Sequence, residues 1–193
     1  PLAWGIAAGV AGGISLACFY VALSRGAMGA SAALSGLLAA AIPAAVSITS
    51  EGSPGLLRIV GFLVAGGAIW LIAAGPNADA KSADTGTIWL AVAAGSGFGI
   101  YFVSLKMAGA AGVVWPMATA RIGSLSICSL MLLGLLCSSR TSEIARGRLT
   151  RAAVRWALTT AVLDTSGNLL FIAATRAGRL DVAAVLASLY PAS

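Results

Sequence analysis

Near the middle of an apolar stretch long enough to cross a membrane, residues 156–177, stand Asp164 and Asn168. A charged carboxylate at the centre of a bilayer costs about 2.5–3.5 kcal/mol on insertion scales, so it faces a protein interior or a water-filled cavity. The i, i+4 spacing puts both residues on one helix face, with Thr160, Gly167, Phe171 and Thr175 close to the same stripe. A carboxylate so placed can exchange a proton or attract a cation, the chemistry of ion coupling. Arg121 is the second intramembrane charge, less than two turns inside another apolar stretch; it either snorkels to the interface or lines the same cavity. Tyr190 completes the set. Pro191 donates no N–H, which leaves the Ala187 carbonyl free beside the Tyr190 ring. Asn168 lies nine residues before Ala177, and Tyr190 nine after Asp181. Both are therefore about 13 Å from the intervening turn, and Asp164 is one turn deeper. The candidate substrate and coupling cavity comprises Asp164, Asn168, Thr160, Tyr190 and Arg121.

Composition narrows the class. The 193 residues are 59% hydrophobic and 9% charged, against about a quarter charged in soluble domains, so the chain is a membrane protein. The lipid bilayer is its first partner. Net charge is +6, but Arg140, Arg146, Arg148, Arg151 and Arg155 gather in one linker, as topogenic charge does, and nucleic acid is not a partner. Histidine is absent, which removes zinc-protease motifs and Ser-His catalysis. The three cysteines, Cys18, Cys128 and Cys137, read as small packing residues, not as a disulfide frame or metal site. No enzyme activity and no cofactor is expected: an intramembrane aspartyl protease needs two carboxylates, and only Asp164 lies deep in a helix.

The elements that must position these residues are helices, because lipid satisfies no backbone polar group. Apolar runs predict seven, at about 2–24, 28–50, 55–74, 88–108, 113–137 and 151–177, with a seventh beginning after Gly178. Gly9/Gly13 and Gly95/Gly99 are small-residue pairs suited to close helix packing. Ser31 and Ser35, one turn apart, are expected to bond back to their own backbone. Pro43 is tolerated within its helix, Pro54 sits near the start of helix 3, and Asp181 is a candidate N-cap of helix 7. The polar stretch 76–87 is the expected boundary between two halves.

A shift of 152 lays residues 1–41 on 153–193 without a gap. Trp4/Trp156, Phe19/Phe171, Gly26/Gly178 and Leu37/Leu189 are among the identical pairs. The copies are five helices apart, an odd number, so they cross the membrane in opposite directions. That is the inverted repeat of many secondary transporters, whose substrate site lies near the midplane. Opposite Asp164, Asn168 and Tyr190 the first copy carries Gly12, Leu16 and Leu38. The polar group therefore belongs to one repeat alone.

Pro43, Glu51-Gly52-Ser53-Pro54 and Gly61 resemble the end of a first repeat in the EamA branch of the drug/metabolite transporter superfamily. Ser50 and Gly52 stand where that branch has Gly and Arg. Gly97-Phe98-Gly99, Trp115-Pro116 and Ala120-Arg121 resemble the opening of its second repeat. Leu163-Asp164, Gly167-Asn168, Ala174-Thr175-Arg176, Gly178 and Ser188-Leu189-Tyr190-Pro191 resemble its continuation. The resemblance implies an all-α, polytopic membrane helix bundle: about seven transmembrane helices of a ten-helix, 5+5 inverted-repeat transporter. Residues 1–75 would be the last three helices of the first repeat, 76–87 the linker, and 88–193 the first four helices of the second, the fourth truncated. The chain, which opens on Pro1, is then expected to be a fragment lacking both ends. The implied function is transport of small metabolites or drugs as a permease or exporter in a bacterial-type inner membrane, and it admits a homodimer. The depth of Asp164 and its shared face with Asn168 and Thr160 make it the expected residue of proton coupling or cation recognition. The alternatives from other classes are a non-transporting membrane scaffold and an intramembrane enzyme.

Seven basic residues (Arg25, Lys81, Arg140, Arg146, Arg148, Arg151, Arg155) fall on the side of the linker 138–149, and four (Arg58, Lys106, Arg176, Arg179) on the other. The charge rule places that linker in the cytoplasm, whereas the usual family topology, with a cytoplasmic N-terminus, places it outside. A reporter fused at Gly147 is expected to be active in the cytoplasm; activity confined to the periplasm would overturn the charge rule here.

Overall fold

The computed structural model describes residues 2–26, 28–51, 56–73, 84–137, 150–178 and 180–188. They form α1 (Leu2–Ser24), α2 (Met28–Glu51), α3 (Leu56–Ala73), α4 (Thr85–Ala108), a 3-10 turn (Gly109–Ala111), α5 (Val114–Cys137), α6 (Arg151–Ala177) and α7 (Leu180–Ser188), with no strand among the described residues. Five of these, α1, α2, α4, α5 and α6, are long and apolar enough to cross a membrane. An all-helical chain with five such helices is an integral membrane protein.

Helix ends follow local chemistry. Arg25-Gly26 closes α1 with N–H bonds to the Ala22 and Leu23 carbonyls at 3.2 Å each, and Gly26 takes φ +98, the left-handed region that glycine enters without a Cβ penalty. α4 begins three residues earlier than the apolar run alone suggests. The Asp84 carbonyl accepts the N–H groups of Thr87 (2.8 Å) and Ile88 (3.1 Å), so a polar first turn is wound onto the helix. Asp181 is a correction too: α7 already starts at Leu180, which puts Asp181 inside the first turn and not at the cap. Pro54, the linker 138–149 and residues 76–83 of the expected boundary lie outside the described residues.

Small residues set the packing. A Cβ added at Gly9 would stand 2.0 Å from the Ala120 carbonyl oxygen, one at Gly5 1.8 Å from Thr119 Oγ1, and one at Gly123 2.7 Å from the Ile6 carbonyl oxygen. α1 and α5 thus touch backbone to backbone, as Gly9 and Gly13 predict. A Cβ at Gly95 would likewise stand 2.7 Å from the Ser35 carbonyl oxygen of α2, whereas one at Gly99 would meet the Ile42 side chain, 2.7 Å from its Cβ. Ser35 does not bond to its own helix: its hydroxyl donates to the Ala91 carbonyl of α4 at 3.0 Å, because the glycine at position 95 brings the two backbones within reach. The cysteines do not all pack either, since Cys128 and Cys137 are exposed on α5.

The contact register also gives helix directions. Gly5 meets Thr119, Gly9 meets Ala120, and Gly13 meets Ile127, so α1 and α5 run the same way. Ser35 meets Ala91 and Ile42 meets Gly99, so α2 and α4 run the same way. Gly12 meets Tyr101 whereas Ser15 meets Gly97, which makes α1 and α4 antiparallel. The buried cluster of Leu105, Met117, Ala120, Phe171, Ile172, Leu180 and Ala184 joins α4 to α7. Away from that cluster α6 stands open, with Trp156, Val162 and Leu170 largely exposed.

Gly9→Leu is expected to destabilise the bundle by about 1–3 kcal/mol, because a backbone oxygen at 2.0 Å cannot rotate away. Gly134→Leu, with nothing within 4 Å, is expected to stay within about 0.5 kcal/mol. Unfolding of both variants in detergent micelles checks the contrast.

Candidate functional site

α5 presents Arg121 to the middle of α6, and that contact builds the site. The guanidinium Nη2 donates to Asp164 Oδ2, forming an ion pair. The same nitrogen donates to Thr165 Oγ1 at 3.0 Å. Thr165 in turn donates to the Ala161 carbonyl at 2.7 Å, so its lone pairs are turned toward the arginine. One turn further along α6, Asn168 Nδ2 donates to the Asp164 carbonyl oxygen at 2.9 Å and to Asp164 Oδ1 at 3.2 Å. One carboxylate oxygen is held by α5 and the other by its own helix. Arg121 Nε is buried and has no hydrogen-bond partner among the described residues.

The pair is half-open. Side-chain exposure is 37% for Arg121 and 53% for Asp164, in helices that are otherwise apolar. Charge exposed at that depth is not left facing acyl chains, so the open side is lined by water or by further protein. The fourth member of the group comes from α4. Tyr101 lies within electrostatic reach of both Asp164 and Arg121, and its ring occupies the space that a side chain at position 12 would need, 3.0 Å from a Cβ built on Gly12. Phe102, next to it, stacks on Phe171 of α6 with ring centroids 4.6 Å apart. Gly12 is the position that the 152 shift lays on Asp164. The missing Cβ at Gly12 thus makes room for the Tyr101 ring.

The structure brings three of the five sequence-predicted residues together: Arg121, Asp164 and Asn168. Arg121 is paired across the helix interface and does not extend along its own helix toward the membrane surface. Thr160 is on the expected face, but its hydroxyl donates to the Trp156 carbonyl at 2.9 Å and does not join the group. Tyr190 lies outside the described residues. Thr165 and Tyr101 are additions. Thr165 is one residue beyond Asp164, and stepping by four along the helix passes over it. Tyr101 carried a usable signal, since a phenol in the middle of a span needs a partner for its hydroxyl. Among the described residues, no three His, Cys, Asp or Glu side chains converge as a metal site would require.

In comparisons with protein-family models, curated proteins and solved structures, no match to this chain was found. The class that the fold defines is a polytopic α-helical membrane protein with a half-open charge pair in its spans.

Proposed function

We propose that the protein is a secondary transporter of small metabolites or drugs, with the group around Asp164 as its coupling and recognition site. The observation that carries this reading is the Arg121–Asp164 pair. Two charges are held within apolar helices, Asp164 at the middle of α6 and Arg121 about two turns inside α5, half open, with one arginine donor left without an acceptor among the described residues. Intramembrane ionisable residues of this kind mark substrate and proton pathways. The alternating directions of α1, α2, α4 and α5 are what an inverted repeat needs, and the 152 shift supplies its register. Seven spans, a 5+5 repeat and membership of the EamA branch rest on that register and on the motifs from Pro43 to Pro191. A bacterial-type inner membrane follows from the same resemblance.

The test is uptake by the intact protein in liposomes, screened with radiolabelled amino acids, organic acids and cationic drugs. Uptake of none of them would leave the second reading, a scaffold in which the ion pair clamps α6 to the bundle. One observation favours that reading: among the described residues the buried side chains of α6 are Phe171, Ile172 and Thr175, all in its last two turns, so the pair is what fastens its middle.

Water access gives an independent check. In a background with Cys18, Cys128 and Cys137 replaced, Thr160→Cys is expected to react with a membrane-impermeant methanethiosulfonate reagent. Val162→Cys, two residues on and therefore on the opposite face, is expected to resist it, although both positions are exposed. Equal reaction at both positions would mean that α6 faces no distinct aqueous cavity.

A further inference from the structure

We propose that the substrate recognised at this site is an organic anion, a carboxylate in the first instance. It docks on Arg121 when a proton neutralises Asp164, so that one proton and one anion cross together. The inference rests on the transporter reading and deepens it.

The argument begins with the unused part of the guanidinium. An arginine binds a carboxylate best through two parallel N–H groups along one edge, such as Nε and Nη2. Among the described residues, Nη2 makes the guanidinium's protein bonds, to Asp164 Oδ2 and Thr165 Oγ1, while Nε is buried without an acceptor. Asp164 fails to fill that edge because its other oxygen, Oδ1, is turned to Asn168. The protein's own carboxylate is therefore a one-toothed occupant of a two-toothed site. An incoming carboxylate that placed one oxygen on Nε and the other on Nη2 would satisfy the orphan donor and displace Asp164 Oδ2.

Charge decides when that can happen. A cationic substrate finds the Asp164 carboxylate already paired with Arg121. An anion arriving beside an ionised Asp164 would set two carboxylates on one guanidinium, and like charges in one site disfavour double ionisation. If Asp164 takes a proton on Oδ2, it releases Nη2, stays hydrogen-bonded to Asn168 through Oδ1, and turns from competitor into donor. No covalent bond is made or broken beyond the O–H of that acid: the proton comes from water and leaves to water. The empty site holds Arg⁺ and Asp⁻, and the loaded site Arg⁺, a neutral acid and the substrate anion. Both have zero net charge, so the step that moves the site between the two faces of the membrane is electroneutral.

The surrounding groups allow this. Among the described residues, Arg121 from α5 pairs with Asp164, and Tyr101 from α4 lies within electrostatic reach of both. The other charges of α6, Arg151, Arg155 and Arg176, are nine or more residues away along the helix. α1 carries no charged side chain and brings Gly12 to the Tyr101 ring. Lys106 lies five residues past Tyr101 on α4, and Asp181 in the first turn of α7. Among the described residues, Arg121 is thus the cation available to a carboxylate here.

The experiment measures thermal stabilisation of the purified intact protein by benzoate, with betaine as the zwitterionic and tetraethylammonium as the cationic probe, between about pH 5.5 and pH 8. One linked proton makes the apparent affinity for benzoate fall about tenfold per pH unit on the alkaline side. Asp164→Asn is expected to bind benzoate with no pH dependence, Arg121→Lys to bind it at least about tenfold more weakly through loss of the fork, and tetraethylammonium to stabilise none of them. Stabilisation by tetraethylammonium in preference to benzoate, or pH-independent benzoate binding by the unmodified protein, would overturn the proposal. The pH series on the unmodified protein is decisive even where a variant fails to fold. The two readings fail separately. Benzoate binding with the expected pH slope but no uptake of any solute removes the transporter and leaves the anion site; uptake of other solutes with no anion binding does the reverse.

Discussion

Arg121→Ala is expected to lower stability by about 2 kcal/mol and to abolish uptake. The magnitude comes from where the pair sits between two limits. Removing one member of a fully buried pair costs about 3–5 kcal/mol, because a naked charge remains, whereas surface pairs are worth about 0–1 kcal/mol. Arg121 and Asp164, at 37% and 53% side-chain exposure, fall between the two. The loss also removes the bond to Thr165, one of the few that tie α6 to α5. Reversing the pair, with Arg121→Asp and Asp164→Arg together, is expected to recover most of the stability, since charge complementarity is retained. It should not recover uptake, because the guanidinium then hangs from α6 and no longer faces Thr165 from α5. Equilibrium unfolding in micelles and uptake in liposomes, run on the same three proteins, check the two halves. Recovery of uptake by the reversed pair would make the interaction a clamp and nothing more. Thr160→Val is the contrasting case. Its hydroxyl is bonded to its own helix at Trp156, and its loss is expected to leave stability within about 0.5 kcal/mol.

The difference between Arg121 and Thr160 shows what can be seen in a sequence of this kind. Helix ends at Ser24, Ala108, Cys137 and Ala177 were legible because a glycine, a charge or a polar run interrupts the apolar stretch there. Glycine pairs were legible as packing sites, since in lipid a small residue is the main device for bringing backbones together. Which way a side chain points around its helix was not. These spans are apolar nearly all round, so no amphipathic stripe reports the inward face. Ser35 reaches Ala91 and not its own backbone because Gly95 draws α2 and α4 together, a tertiary consequence with no local sign. Tyr101 joins the charged group for a similar reason: its place depends on a missing Cβ at Gly12, 89 residues away in the chain. Asp164 could be singled out from depth alone. Its partner required the fold.

Asp164→Asn separates a coupling carboxylate from a structural one. The amide keeps the size of the side chain and one oxygen for Asn168, but its NH2 group cannot accept from Arg121. Stability is therefore expected to fall by about 1–2 kcal/mol, no more than for Arg121→Ala, and transport is compared per folded protein. What it removes is the proton. A carrier that must take up a proton to release Arg121 would then be held permanently in the released form. Exchange of substrate across the membrane, which needs no net proton movement, is expected to continue. Accumulation against a gradient is expected to collapse to simple equilibration, and the rate to lose the dependence on pH that the parent shows. A purely structural Asp164 makes a different forecast: exchange and accumulation would fall together, in proportion to lost folded protein, with the pH profile unchanged. Counterflow measured beside proton-driven uptake in the same vesicles distinguishes the two. Retained counterflow with lost accumulation assigns the proton to Asp164, and parallel loss of both assigns the residue to the helix interface with α5.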